Sequence, residues 1–205
     1  MVEFIEITLI ILIATISPGP DFMMVSRNAL QYTQKAGVMT ALGIALGSLL
    51  HSSYCILGLA IIISHSLILF NVIKYIGAIY LIYLGVRGLF EKKATMKSDD
   101  EKNIAGLTGI QAFRQGLLCT ALNPKGILFF LAFFTIIIKP SMPLSIQASY
   151  ALEITIIDIV WFSAVAFFFS HHKIKIIFGK GLHYISKLFG GFLILFGLKI
   201  FALTQ

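Results

Sequence analysis

The sequence predicts an all-α integral membrane protein of six transmembrane helices, arranged as two inverted three-helix repeats with helices one and four broken at proline. Three observations point there. Of 205 residues, 58% are hydrophobic and 12% charged, and mean hydropathy is +0.94, against roughly 45–50% apolar and ~25% charged in a typical soluble domain. The apolar residues gather into six runs long enough to cross a bilayer, and parts of the first half of the chain recur in the second. A water-soluble globule is therefore excluded. Six spans of about 20 residues each leave only short loops and no second, soluble domain, so residues 1–205 are read as one domain.

The runs are Ile5–Val25, Val38–Ile63, Leu67–Phe90, Arg114–Ile138, Gln147–Ser170 and Tyr184–Leu203, each with the length and scarcity of charge that mark a span. The first has Glu3 and Glu6 as its only early charges and no small-residue cleavage pattern, so it reads as a span rather than a signal peptide. The 16 Lys and Arg then give orientation. Twelve follow spans one, three and five, whereas Lys74, Lys139 and Lys199 lie on the opposite side and Lys125 is mid-span. Basic loops stay in the cytoplasm, so both termini are expected outside. The formal charge of +7 is then a topology signal facing anionic lipid, and no nucleic-acid partner is expected. Glu91 to about Phe113, with Lys-Ser-Asp-Asp-Glu-Lys-Asn inside it, is expected to be a cytoplasmic linker. It divides repeat 1, about 1–90, from repeat 2, about 114–205.

The repeats rest on two alignments. Lys74-Tyr-Ile-Gly77 through Gly85-Val-Arg87 matches Lys187-Leu-Phe-Gly190 through Gly197-Leu-Lys199 with one gap, and Ser17-Pro18-Gly19 falls where Asn123-Pro124-Lys125-Gly126 falls. Three spans repeated once must be inverted, an architecture of secondary transporters with the site near the midplane at discontinuous helices. Proline inside a helix removes a hydrogen bond, and in lipid a freed backbone group is tolerated only against protein or a wet cavity. Ser17-Pro18 and Asn123-Pro124 each read as an N-cap followed by proline at the first helical position. At about 1.5 Å per residue, both breaks fall roughly 14–15 Å from the cytoplasmic face, about half of a ~30 Å core. The half-helices that follow aim two positive dipole ends at the middle. Asp21 stands at one end and Lys125 at the other, so a zwitterion fits between them. Its ammonium would lie toward Asp21, and its carboxylate toward Lys125 and the N–H groups after Asn123. The substrate-binding candidates are thus Ser17, Pro18, Gly19, Pro20, Asp21, Asn123, Pro124 and Lys125.

Ionisable groups at membrane depth are functional candidates by default. Asp158, the deeper carboxylate of span five, is the candidate proton carrier, with Glu153 near the outer end of the same span and His51 in the middle of span two as further proton-coupling candidates. Gly43-x-x-x-Gly47 is a close-packing motif. His171-His172 with Lys173 and Lys175 reads as a basic loop against lipid, since no Cys, Asp or Glu stands at ligand spacing. No metal site and no cofactor is expected. Nucleophile elbow, phosphate loop and zinc motif are all missing from the sequence, so no enzyme is expected.

The motifs Ser17-Pro-Gly-Pro-Asp21, Ala41-Leu-Gly-Ile-Ala-Leu-Gly47 with His51, Gly77-Ala-Ile-Tyr80 through Arg87, Leu122-Asn-Pro-Lys125 through Phe130, and Asp158-Ile-Val-Trp161 occur in this order. With them the chain resembles, over nearly its whole length, the lysine-exporter (LysE/RhtB) superfamily, in particular its homoserine, threonine and leucine exporter branch. The resemblance implies proton-driven efflux of amino acids or their derivatives by a six-span protein of bacterial inner membranes. It also implies an acid directly after the second glycine of span two, where this chain has Ser48. Any coupling role of that acid would be absent or moved, for example to Asp158. Partners are then a small amino-acid substrate, protons and membrane lipid, with a homo-oligomer left open. Two alternatives stand beside this. A divalent-cation exporter would need Asp21, His51 and Asp158 to converge, and a membrane thiol-disulfide conductor would use Cys55 and Cys119.

Overall fold

In the computed structural model, residues 2–90, 106–170, 187–188 and 190–198 are described, and their regular structure is entirely helical. The elements are α1 (Val2–Ile16), α2 (Pro20–Gln31), α3 (Gln34–His65), α4 (Leu67–Leu89), α5 (Gly109–Ala121), α6 (Pro124–Ile137) and α7 (Leu144–Phe169), with α8 over 190–198. Helices α3, α4 and α7 are each long and apolar enough to cross a membrane. The pairs α1/α2 and α5/α6 pass the same test only together, bent by 52° and 60° at their breaks. Three to five candidate spans thus stand among the described residues. The sixth, expected over Tyr184–Leu203, is described only in part, and the His171-His172 loop lies outside the described residues.

Local chemistry sets the boundaries. Thr33 caps α3, its hydroxyl accepting from the Ala36 N–H at 3.0 Å. Ser66 alone separates α3 from α4 and accepts from the Leu69 N–H at 3.1 Å. Helix α5 begins at Gly109, before the expected Arg114, because Thr108 and Gln111 form a reciprocal capping box. The linker expected over 91–113 is corrected accordingly at its C-terminal end, and its residues 91–105 lie outside the described residues. The first span also runs past Val25 to Gln31. Ser26 and Asn28 lower the hydropathy there, yet both face protein and are about 1% exposed.

Helix α3 packs along α5, α7 and α2, and α4 packs on α6. The α3–α5 contact is backbone against backbone. A Cβ on Gly43 would stand 2.0 Å from the Phe113 carbonyl oxygen, and one on Gly116 would stand 2.1 Å from that of Thr40. In lipid, where apolar side chains gain little by leaving solvent, such close van der Waals approach is what holds helices together. Gly43-x-x-x-Gly47 is therefore a packing seam, as expected. Between α4 and α8 the approach is reciprocal: a Cβ on Gly85 would meet the Gly190 carbonyl oxygen at 2.5 Å, and one on Gly190 would meet that of Gly85 at 2.6 Å. Helix α7 shows how sides are chosen. Tyr150, Ile154, Asp158 and Phe162, four apart, are buried, while Leu152, Ile156 and Val160, also four apart, are more than half exposed and apolar.

Candidate functional site

The first break spans Ser17-Pro18-Gly19, between the last residue of α1 and the first of α2. The expected cap is shifted here: Gly19, not Ser17, is the N-cap, and Pro20, not Pro18, opens the helix. Two prolines explain the shift. A residue preceding proline is driven out of the α region, so neither Ser17 nor Gly19 can be helical and α2 must wait for the second proline. Gly19 has no side chain to cap the turn, and Asp21 follows in that turn. The second break matches expectation, with Asn123 as N-cap, its Oδ1 accepting from the Lys125 N–H at 3.1 Å, and Pro124 at the first helical position.

Both breaks border one cavity of about 130 Å³. A single water needs ~10–15 Å³ on that scale, so there is room for a small organic molecule. Ser17 to Asp21 line it from one break, and Asn123, Lys125 and Gly126 from the other. Thr15, Ser48 and Asp158 add polar groups from α1, α3 and α7, and Phe129, Phe130 and Phe133 of α6 form an aromatic wall. The N-terminal ends of α2 and α6 both reach the cavity, each bringing the positive end of a helix dipole.

The carboxylates are held by hydroxyls. Thr120 of α5 donates to Asp21 Oδ1 at 2.9 Å, and the Cys119 thiol lies beside the same group. Thr15 donates to Asp158 Oδ1 at 3.0 Å, and the Ser48 hydroxyl lies alongside that carboxylate. Asp158 is 4% exposed, so these hydroxyls replace water around it.

Of the residues singled out from sequence, Ser17, Pro18, Gly19, Pro20, Asp21, Asn123, Lys125 and Asp158 meet at the cavity. Pro124 shapes the break without forming the wall. Glu153 stands apart, accepting from the Thr8 hydroxyl, while its Oε2 is buried with no hydrogen-bond partner. His51 is also off the wall, between Tyr54 and the Thr120 carbonyl. Sequence reading missed Thr15 and Thr120, because a hydroxyl in an apolar helix carries no signal until its partner is known. It missed as well the cluster in which the buried Asn28 amide donates to the buried Thr40 hydroxyl at 2.9 Å and to the exposed Gln115 side chain at 3.0 Å. Cys55 is buried in an apolar cluster, and both cysteines are free. Among the described residues no three of His, Cys, Asp and Glu converge to hold a metal.

The description LysE type translocator matches residues 12–203. An uncharacterised membrane protein, YrhP, of Bacillus subtilis is 33% identical over 191 residues, 90% of this chain and 91% of the relative. A threonine efflux protein of Salmonella typhimurium is 29% identical over 195 residues, 94% of this chain and 92% of its own. A leucine efflux protein of the same organism is 31% identical over 151 residues, 73% and 69% of the two chains. No solved structure matches. With its apolar helices, its paired breaks and a match over nearly its whole length, this chain is a multi-pass membrane transporter and not an enzyme, and it belongs to the LysE-type translocator family.

Proposed function

We propose that the protein is a secondary exporter of amino acids, driven by protons, that binds its substrate between the two helix breaks. One observation carries the reading: both breaks border a single cavity at which Asp21, Asp158 and Lys125 are the charged side chains. Charge at membrane depth is costly and is kept for substrate and ion pathways. A zwitterion matches the pair Asp21 and Lys125, the ammonium toward Asp21 and the carboxylate toward Lys125. The Lys125 N–H is occupied by the Asn123 cap, so the backbone share of that carboxylate falls to Gly126. The aromatic wall receives the side chain, and the names of the threonine and leucine efflux relatives agree with a small neutral substrate.

With the zwitterion neutralising Asp21 and Lys125, Asp158 is the charge left over and the one free to carry a proton. Ser48, the position where the resemblance implies an acid, lies alongside Asp158, so α7 supplies the carboxylate at the place where α3 lacks one. Glu153, nearer the outer end of α7, is a station on the way from outside. The six spans form one domain as two inverted repeats, with both termini outside and basic loops in the cytoplasm of a bacterial inner membrane. The aligned pairs Gly77 with Gly190 and Gly85 with Gly197 and a helix break in each half support the repeats.

The test is counterflow of labelled threonine and leucine in proteoliposomes, with and without a pH gradient. The gradient is expected to drive accumulation, and decarboxylated or N-acylated analogues should compete at least about tenfold more weakly, the loss of one charge-assisted contact. Undiminished affinity for both analogues sinks the zwitterion site, and indifference to the gradient sinks the coupling.

A further inference from the structure

His51 does not reach the cavity, yet its contacts lead there. It is 1% exposed, and its Nε2 lies 2.8 Å from the Thr120 carbonyl oxygen. A carbonyl only accepts, so Nε2 carries the hydrogen and donates. The other ring nitrogen faces the Tyr54 hydroxyl, and the ring stacks on Phe130, with centroids 5.2 Å apart and planes 26° apart. Phe130 is part of the cavity wall.

Thr120 sits in the last turn of α5, where helical carbonyls lose their intrahelical partners. Its carbonyl accepts from His51 and also from the Asn123 N–H at 3.0 Å, so a group freed by the break is satisfied by protein rather than left to lipid. The Thr120 hydroxyl, on a residue 2% exposed, donates to Asp21. One turn before His51 on the same face of α3, Gly47 leaves out a side chain whose Cβ would stand 2.7 Å from the Thr120 Cβ.

We infer that Gly47 and His51 form a cradle on α3 that fixes Thr120, and through it the Asp21 carboxylate, making His51 and Thr120 positioning residues for substrate binding that touch no substrate themselves. Gly47 lets Thr120 come close and His51 holds its backbone, so the hydroxyl meets Asp21 in one geometry. The inference rests on the reading of Asp21 as the partner of the substrate ammonium. It gives His51 a role other than the proton coupling that its place mid-span suggests.

The experiment measures KM and Vmax for labelled threonine and leucine in proteoliposomes, with each variant first checked for a monodisperse folded peak. Thr120→Val keeps the shape and removes the hydroxyl, while His51→Phe keeps the stacking on Phe130 and removes the donor. Both are expected to raise KM about five- to tenfold, the loss of one buried hydrogen bond, with Vmax within about twofold. Thr120→Ser restores the hydroxyl, and His51→Gln restores a donor to the carbonyl, so both should return KM toward the parent value. Gly47→Ala should raise KM by pushing Thr120. If His51→Phe does not fold, Thr120→Val and Gly47→Ala decide alone. A parent-like KM in Asp21→Asn overturns the reading of Asp21. A raised KM there with a parent-like KM in Thr120→Val and Gly47→Ala overturns the cradle alone. A folded His51→Gln with collapsed Vmax and unchanged KM also overturns it, since Gln donates but carries no proton.

Discussion

On the α1/α6 side of the breaks the helices stand apart around the cavity, whose wall is aromatic rings and charged groups. On the α2/α5 side the same bundle closes until backbone touches backbone. No residue of α5 and none of α2 beyond Phe22 borders the cavity. Phe22 and Phe169 meet edge to face, 5.5 Å apart and both fully buried. Behind them, Gly37 lies against Ala29 and Ala166, and Asn28 ties α2 to α3 and α5 through Thr40 and Gln115. The difference teaches how helices are held together in lipid. Flat surfaces of small residues give contact area without interlocking side chains, and a few directional bonds fix the register. The largest expected effect follows from that contact. Gly43→Leu should prevent accumulation of folded protein, because overpacking commonly costs about 1–3 kcal/mol and here the new atoms would fall on a carbonyl oxygen. Gly58→Ala, on the same helix with nothing within 4 Å, should leave thermal stability in detergent unchanged or raised by up to about 1 kcal/mol. Equal stability of the two variants breaks the contrast.

The open side depends on charge rather than closeness. Asp158→Asn keeps the shape and the contacts of Thr15 and Ser48 but cannot carry a proton. Net efflux driven by a pH gradient is expected to fall about 100-fold, the scale of a lost proton-transfer step, while exchange of labelled for unlabelled substrate continues. Normal net efflux in the variant removes Asp158 from the proton path.

How much of this could be read in one dimension differs between the two sides. The long helices were legible because lipid demands continuous apolar runs, and the breaks because proline in such a run has few other meanings. The position of the first break was off by two residues, because Ser-Pro and Gly-Pro both satisfy the rule for a cap and only folding selects the second. Asp21, Lys125 and Asp158 were legible as rare charges in apolar surroundings. Their partners were not: Thr15 meets Asp158 across 143 residues of sequence, and Thr120 meets Asp21 across 99. On α7 Asp158 alone marks the inward stripe, since its other residues and those of the outward stripe are apolar. The Asn28 cluster was hidden, since polar residues past Val25 look like the end of a span.

That cluster gives the next effect in size. Asn28→Leu takes the donor away from the Thr40 hydroxyl oxygen, which is fully buried, at a cost of about 1–3 kcal/mol, read as a lower unfolding temperature in detergent. Stability equal to the parent would mean that the small-residue contacts alone fix the α2/α5 side.

The smallest effect separates the two breaks. At the second, Asn123 and Pro124 act together. The side chain occupies the Lys125 N–H, a cap of about 1 kcal/mol, and proline removes a donor that a continuous helix would need. Pro124→Ala leaves the cap in place, so the bend persists in most molecules and KM is expected to rise only about threefold, within the worth of that cap. Adding Asn123→Ala removes the last local reason to interrupt the helix, and the double variant should raise KM by more than the product of the single effects. The first break has no side-chain cap but keeps its second proline whichever one is replaced, so Pro18→Ala and Pro20→Ala should each be mild. Parent-like transport in the Asn123→Ala/Pro124→Ala double variant would make the second break an accident of packing, and the cavity would have to hold its substrate by the α2 end alone.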